Sequence, residues 1–388
     1  MAAKIAFFPV GNGDMTLLQL ESGRKVLVDI NIRAAADDPE DKTADVAKML
    51  RERLTRDAKG RLYVDAFLLS HPDKDHCTGL RTHFHLGPPA EWSKAADKIF
   101  IREMWSSPMV FRRASKKNRV LCDDAQAFNT EARRRVQRFR DSQGAVEEGD
   151  RILILGEDEN GKTDDLGQIL VKIDEVFSKV NGAHDDSLSV RLLAALPKSD
   201  DEGEEDVLSK NASSTILRFA LAAEGNPDAG RYLSGGDAEV AIWERLWDRH
   251  KKRPDWLSYD ILLSPHHCSW HSLSYDSWSE MREKAKVSEK ARSALAQTRD
   301  GAVIVASSNP IKDDDNDPPC IRAKREYVAI TDAAKGVFKC VGELPSEDDP
   351  DVLEFEIGRN GPRVKTRLMK AASVLGPGVV GRQPLAHG

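Results

Sequence analysis

Three stretches of apolar, strand-like sequence end in histidine and aspartate, and this arrangement constrains the fold most strongly. Residues 64–70 are almost wholly apolar, which is typical of a strand buried on both faces, and they run directly into HPDKDH at 71–76. Two later stretches end in SGGD at 234–237 and in SPHH at 264–267. Because reactive groups commonly lie on loops held by a rigid scaffold, we expect the later clusters to complete a site that the first begins.

The side-chain types in these clusters indicate a metal site. Imidazole nitrogen and carboxylate oxygen suit Zn²⁺ or Mn²⁺, and His71, Asp73, Asp75 and His76 fall within six residues. A single His or Asp would favour a solvated polar loop, and Asp237 alone would favour a helix N-cap. Four such residues after a buried strand, with two further clusters, favour one or two divalent ions. A carboxylate such as Asp237 is able to bridge two of them.

The chain has 388 residues, which allows one large domain or two ordinary ones. Strand-like runs alternate with helical spacing throughout, and no clean linker interrupts them. This pattern favours one elaborated domain of mixed α/β layers over residues 1–370. Within it, residues 199–206 are an acidic run without apolar anchors, and we expect residues 197–210 to form an acidic loop. We expect the Gly- and Pro-containing residues 371–388 to form a flexible tail.

Residues 90–148 have weaker apolar periodicity and accumulate positive charge, and we interpret them as a basic helical insertion. Between positions 112 and 140 there are ten basic residues and three acidic ones. Taken alone, this composition is most often a solvated helix face. The alternative is a patch that binds substrate phosphates. The candidate phosphate contacts are Arg112, Arg113, Lys116 and Lys117.

Composition limits the cellular compartments and the classes of partner that we expect for this chain. The five cysteines are an odd number without a CxxC pair, which favours a reducing compartment over a disulfide framework. No stretch reaches the roughly 18 apolar residues that a membrane helix needs, and no clear signal peptide precedes residue 10. We therefore expect a cytoplasmic protein without a membrane partner. The net charge of −6 does not mark the chain as a nucleic-acid binder.

Six short motifs follow one another in an order that resembles the metallo-β-lactamase fold superfamily. The subgroup that they resemble most is the soluble hydrolase domain of ComEC-type DNA-uptake proteins, and the resemblance covers about residues 4 to 358. The motifs are VGNGD at 10–14, SHPDKDHCTG at 70–79, GDR at 149–151, NASS at 211–214, SGGDAE at 234–239 and HHCS at 266–269.

The resemblance implies a four-layer αββα sandwich, an α/β (α+β) fold of metallo-β-lactamase type with helical insertions, and metals at one sheet edge. By position it puts His71 and Asp73 at a first metal, Asp75, His76 and His266 at a second, and Asp237 at the bridge. Asp14 corresponds to a supporting acid in a turn, and His267 to an alternative ligand or a proton donor. Asp75 and His267 are accordingly the candidate catalytic residues.

The chain departs from the family pattern at three points. The second His of the superfamily signature is Asp73 here, as in the ComEC-like subgroup. The superfamily's middle ligand His has no sure counterpart, and His184 is a weak candidate because a surface His is the commoner case. The Gly of HHGS is Cys268, which adds a side chain beside the site. Cys77 and Cys268 are taken as neighbours of the site and not as ligands.

The implied reaction is phosphodiester hydrolysis by a metal-activated water, as in a phosphodiesterase or nuclease acting on nucleic acid. His267 is the expected donor of a proton to the leaving oxygen. A hydrolase of a small ester, or of a cyclic or other small phosphodiester, is the first alternative. A binding or scaffold protein with a degraded site is the second. Fold alone does not choose among these substrates, and protein partners are left open.

Overall fold

Two β-sheets packed face to face form the centre of the molecule. A computed structural model describes residues 1–37, 43–111, 120–196 and 211–365. Within those ranges the larger sheet has eleven strands and the smaller one seven.

The larger sheet contains the first and the last strand of the described chain. Its strands are, in spatial order, Leu170–Val171, Arg151–Leu155, Ile99–Ser106, Leu62–Leu68, Lys25–Val28, Thr16–Gln19, Ala3–Phe7, Leu353–Gly358 and Gly361–Val364, with Thr55–Arg56 beside Leu62–Leu68 and Phe84–His85 beside Ile99–Ser106.

The smaller sheet follows in the second half of the chain. Its strands are, in spatial order, Val176–Phe177, Leu188–Ala194, Ile216–Ala223, Asn226–Ser234, Tyr259–Leu263, Thr298–Ala306 and Val337–Cys340. A separate hairpin pairs Lys179–Val180 with Ala183–His184, and the short strand Ile30–Asn31 bridges to Cys77 and Thr78.

Helices cover the outer face of each sheet. Val46–Arg51 and Asp123–Asp141 contribute apolar residues to the core of the larger sheet. Val240–His250, Glu289–Leu295 and Ile321–Ala333 do the same for the smaller sheet. Single helical turns lie at Lys74–Cys77, Leu80–His83, Pro265–Cys268 and Trp278–Met281, and residues 108–111 are helical as well.

Alternation along the strands produces three apolar layers. Val26 and Val28 belong to the core between the sheets, whereas Leu27 belongs to the core under the helices. Such alternation follows from the two-residue period of a strand. The rings of Phe7 and Tyr232, one from each sheet, meet 5.8 Å apart in the central layer. The four-layer αββα arrangement expected from the sequence is therefore confirmed.

The carboxyl ends of parallel strands from both sheets lie at one edge. Lys25–Val28 runs parallel to Leu62–Leu68 in the larger sheet, and Asn226–Ser234 runs parallel to Tyr259–Leu263 in the smaller one. A backbone hydrogen bond from Thr215 N–H to the Ser70 carbonyl (2.9 Å) joins the two sheets at this edge. The loops that carry the His and Asp clusters consequently converge there.

The basic region contains an element that the sequence pattern did not reveal. Ile99–Ser106 is an internal strand of the larger sheet, between Leu62–Leu68 and Arg151–Leu155. Only the part around Asp123–Asp141 is the expected long helix. Three predictions fall outside the described residues: the candidate phosphate contacts Arg112, Arg113, Lys116 and Lys117, the acidic loop 197–210 and the tail 371–388. Across the described ranges, each helix is too short or too polar to cross a membrane.

Candidate metal centre

The carboxylate of Asp237 lies between two pairs of imidazoles at the shared sheet edge. Its Oδ1 is 3.0 Å from Nε2 of His76 and 3.4 Å from Nε2 of His267. Its Oδ2 is 3.3 Å from Nε2 of His71 and 3.7 Å from Nε2 of His266. One carboxylate thus faces two separate groups of nitrogen ligands, one on each oxygen.

The loop after strand Leu62–Leu68 supplies most of the acidic and imidazole groups. Asp73 precedes a single helical turn, Lys74–Cys77, and this turn carries Asp75 and His76. The chain therefore reverses direction sharply between His71 and His76, which brings both imidazoles to the same carboxylate. Asp75 Oδ2 lies 3.3 Å from Nε2 of His267, on the second group's side of the site.

The His266-His267 pair lies in a turn of unusual backbone conformation. The φ angles of His266, His267 and Cys268 are 52°, 52° and 68°. Residues with a Cβ rarely adopt this left-handed conformation, and such strain is concentrated at functional sites. The turn is anchored by the His266 N–H, which donates to the Gly236 carbonyl at 3.0 Å. As a result the rings of His266 and His267 are inclined by 73° to one another and face different oxygens of Asp237.

Two further carboxylates contact the outer nitrogens of the imidazoles. Asp29 Oδ2 is 2.9 Å from Nδ1 of His76, and Asp14 Oδ1 is 3.3 Å from Nδ1 of His267. A carboxylate on one ring nitrogen fixes the tautomer and directs the other nitrogen toward the metal. His76 is held in this way by the hydrogen bond of its Nδ1 with Asp29, and both imidazoles lie with Nε2 facing the centre of the cluster.

Asp29 belongs to the candidate site by its contacts, and sequence reasoning missed it. It follows the strand Lys25–Val28 directly, as the other site residues follow theirs, and its φ of 55° marks an abrupt change of direction. Its carboxylate also accepts the backbone N–H of Ser70 at 2.6 Å and the Ser70 hydroxyl at 2.5 Å. A lone Asp in an apolar run was the available signal.

The charges of the cluster are mutually stabilising. Burial opposes ionisation of Asp237, but the nearby imidazoles, led by His76 and His267, lower its pKa well below the usual range. Burial likewise opposes a charge on His267, yet Asp237 and Asp14 raise its pKa to about 10. In His266, burial outweighs the attraction of Asp237 and lowers the pKa. The buried carboxylates thus require positive charge at this site.

Several ligand-type atoms in the cluster have no hydrogen bond although they are buried. They are His71 Nε2, Asp237 Oδ1, Asp14 Oδ1, His266 Nδ1 and His267 Nδ1. Buried polar atoms without partners are costly, and a cation would satisfy those that face inward. His76 and His267 bring their Nε2 atoms to 3.2 Å of one another, where two lone pairs are able to share one ion.

The fit to a metal ion follows from these atoms. Ligand atoms of Asp14, His76, Asp237 and His267 lie within 4.8 Å of one another, and so do those of His71, Asp73 and Asp237. Mixed nitrogen and carboxylate ligands suit Zn²⁺ or Mn²⁺. The residues present therefore fit one or two divalent cations.

The structure shows which of the other candidate residues lie at the cluster and which lie away from it. His267, not His266, lies against His76 and Asp75, which favours the alternative that the sequence left open, with His267 as the ligand. His184 is two-thirds exposed in the separate hairpin and pairs with Asp186 at 2.9 Å, outside both groups of ligand-type atoms. Cys268 is packed in the helix-side core of the smaller sheet, as expected for a neighbour and not a ligand.

Comparisons with known proteins add little to this geometry. No family model matches the chain, and no curated protein matches it in sequence. Among solved structures it is similar to Igni18, a novel metallo hydrolase from the hyperthermophilic archaeon Ignicoccus hospitalis, with a TM-score of 0.35, 11% identity, and coverage of 92% of this chain and 99% of that one.

Unliganded yeast PDE1 gives a TM-score of 0.39 at 10% identity, over 88% of this chain and 98% of that one. At these scores neither likeness carries an argument about function.

Proposed function

We propose that the chain is a metal-dependent hydrolase that cleaves phosphodiesters with water. The observation that carries the proposal is the position of Asp237, whose two carboxylate oxygens face His76 and His267 on one side and His71 on the other. A carboxylate shared by two cation sites is the standard device for holding two metal ions close together in phosphoester hydrolysis. The motif resemblance of the sequence supports the same reaction.

Two sets of side chains would hold the ions. His71, Asp73 and Asp237 form the first set. Asp75, His76, His267 and Asp237 form the second, with Asp14 within reach of the same ion and Asp29 behind His76. Bound there, divalent cations supply a water of lowered pKa and positive charge opposite the phosphoryl oxygens. His267 is therefore proposed as a ligand, which is the alternative that the sequence left open.

The exposure of the side chains indicates where substrate approaches. The Asp237 side chain is 3% exposed, whereas those of His266 and Asp75 are 16% and 39% exposed. Substrate therefore reaches the cluster from the side of His266 and Asp75. His266 Nε2 is on this open side, and we assign its protonated form the transfer of a proton to the leaving oxygen; because burial lowers the pKa of this ring, that form becomes scarcer as the pH rises. General acid catalysis of this kind contributes about 10²–10⁴-fold.

Two basic residues of the long helix are paired within the protein, whereas Arg133 and Arg138 are exposed. Arg135 is buried and bonds to Glu131 at 2.7 Å, and Arg134 pairs with both Glu131 and Asp150. The positive charges of Arg134 and Arg135 are balanced by carboxylates of the protein and are not free to bind phosphates. A small phosphodiester is therefore the second candidate substrate beside nucleic acid.

Chelator-treated protein should be assayed with Mn²⁺ or Zn²⁺ on bis(p-nitrophenyl) phosphate, a cyclic nucleotide, and single- and double-stranded DNA and RNA. We expect cleavage that requires added metal and is abolished in Asp237→Asn. His184→Ala, which changes an exposed imidazole away from the cluster, serves as the control and should retain full activity. Metal bound without turnover of any of these esters would overturn the proposal and favour a binding or scaffold protein.

A further inference from the structure

A second concentration of buried charge lies on the helix-covered face of the smaller sheet. Arg191 and Arg218 are directly opposite each other on strands Leu188–Ala194 and Ile216–Ala223. Arg231, on strand Asn226–Ser234, is opposite Ala220, two residues further along. Because side chains two residues apart share a face, all three arginines project from the same face of the sheet.

This face is the outer one. Leu217 and Phe219, which flank Arg218, belong to the core between the sheets. Alternation therefore turns Arg218 toward the helices, away from the central layer. The metal cluster, in contrast, is built on the loops beyond the strand ends, so the arginines form a separate group.

In the part of the chain that the structure describes, no carboxylate forms an ion pair with Arg218. It is only 9% exposed, and its Nε and Nη1 atoms are buried without a hydrogen bond. Burial and the charges of Arg231 and Arg191 lower its pKa to about 10. The nearest acids do not neutralise it, because Asp228 and Asp255 are bonded to Arg231 at 2.7 and 2.5 Å.

Arg191 is in a similar position. Its Nη1 donates to the Asp174 backbone carbonyl at 2.6 Å, while its Nε is buried without a partner. The Asp174 carboxylate instead pairs with Arg249 at 2.8 Å. The guanidinium lies over the Trp256 ring, 3.7 Å from its centroid. Within the described ranges, neither Arg191 nor Arg218 forms an ion pair with a carboxylate.

Two adjacent guanidinium groups that are poorly hydrated and unpaired need a counter-charge. We propose that Arg191 and Arg218 form a binding site for a phosphate group, which accepts hydrogen bonds from their free N–H donors. The planar fork of arginine matches phosphate oxygens, and arginine is the side chain most used for such recognition. Phosphate near neutral pH carries between one and two negative charges, so one group is able to balance both arginines.

The site is tested by thermal unfolding and calorimetry on chelator-treated full-length protein. Inorganic phosphate should raise the unfolding temperature more than chloride of equal ionic strength, because a ligand that binds only the folded state stabilises it. The same shift should occur in Asp237→Asn, in which the metal cluster is disabled. This separates the site from the proposed hydrolase function, so either is able to fail alone.

Arg218→Met should remove the phosphate-induced shift and weaken phosphate binding about tenfold or more, which corresponds to about 1.4 kcal/mol. Without phosphate, this variant should unfold at the same temperature as the wild type or higher, since it loses an uncompensated buried charge. Arg359→Met, at an exposed position, is the control and should change neither property. Arg218→Lys keeps the charge but not the fork and should also bind phosphate weakly.

Glycerol 3-phosphate distinguishes the sources of the group. Binding as tight as that of inorganic phosphate would identify a phosphomonoester as the ligand class, and binding of inorganic phosphate alone would identify the free anion. A wild-type shift no larger than that in chloride would overturn the proposal. So would an undiminished shift in Arg218→Met or Arg218→Lys.

Discussion

Asp29 Oδ2 lies 2.9 Å from Nδ1 of His76 while the same carboxylate accepts two hydrogen bonds from Ser70, the last residue before the HPDKDH sequence. Asp29 therefore connects the end of one strand to the loop after the next. Burial opposes a charge on His76, but Asp237 and Asp29 raise its pKa well above the usual range. The ring is thus held with Nε2 toward the cluster.

Replacing Asp29 with Asn should weaken metal binding about 10–100-fold, which is the usual cost of losing a partner behind a metal ligand. The reason is that His76 loses the carboxylate that fixes its tautomer. Titration of chelator-treated protein with Zn²⁺ or Mn²⁺ measures the change. Asp65→Asn is a matched control, because Asp65 is also buried but accepts the Lys25 N–H and an Arg102 N–H. Equal losses of metal affinity in both variants would contradict this role.

His266 and His267 should differ in what their removal costs. His267→Ala should lower the number of ions bound per chain, because Nε2 of His267 faces Asp75 and Asp237. His266→Ala should keep the ions of the second set and lower kcat about 10²–10⁴-fold, as expected for loss of a proton donor. Metal content and turnover measured on the same samples decide the point. Loss of ions in His266→Ala together with a lowered kcat in His267→Ala would instead favour His266 as the ligand and His267 as the proton donor.

Gly13 should not tolerate a side chain. A Cβ there would lie 2.3 Å from Asn31 Nδ2 and 2.8 Å from the Asp75 carbonyl oxygen. Gly13→Ala should therefore displace the turn that carries Asp14 and lower both stability and metal affinity, with a stability cost of about 1–3 kcal/mol. Gly167→Ala is the control, because a Cβ at Gly167 meets no atom within 4 Å. Thermal unfolding and metal titration of both variants provide the comparison.

The buried ion pair of the long helix should matter far more than an exposed one. Arg135 bonds to Glu131 at 2.7 Å and to the carbonyls of Arg151 and Ile101. Glu131→Ala leaves that guanidinium buried without its counter-charge and should cost about 3–5 kcal/mol.

Disrupting the exposed pair of Arg140 and Asp165 with Asp165→Ala should cost less than about 1 kcal/mol. The free energy of unfolding from denaturant titration tests both values. Similar costs for Glu131→Ala and Asp165→Ala would contradict the distinction.

The parts of the site that follow apolar strands were predictable, because a strand end places adjacent polar residues in one loop. Asp29 was not, since a single Asp in an apolar run has no local partner to identify it. Which of His266 and His267 faces His76 depends on the left-handed backbone of three successive residues. The neighbouring sequence does not specify that conformation.

The strand Ile99–Ser106 was missed for a related reason. It carries Arg102 and Glu103, which interrupt its apolar character. Glu103 is buried because distant groups satisfy it, namely the Asn181 and Gly182 N–H groups at 2.9 and 3.1 Å. The periodicity of a local sequence stretch does not predict contacts between residues about 80 positions apart. Mixed α/β layers were predictable because strand and helix periodicity is local, whereas the four-layer arrangement followed only from the motif resemblance.

The most direct test of the central claim is the rate of phosphodiester cleavage as metal is titrated into chelator-treated protein. The wild type should be inactive without metal and reach full activity when up to two ions are bound per chain. Asp237→Asn, which disturbs the carboxylate shared by both sets of ligands, should stay inactive throughout. Cleavage that is independent of metal, or that survives in Asp237→Asn, would contradict the proposed mechanism.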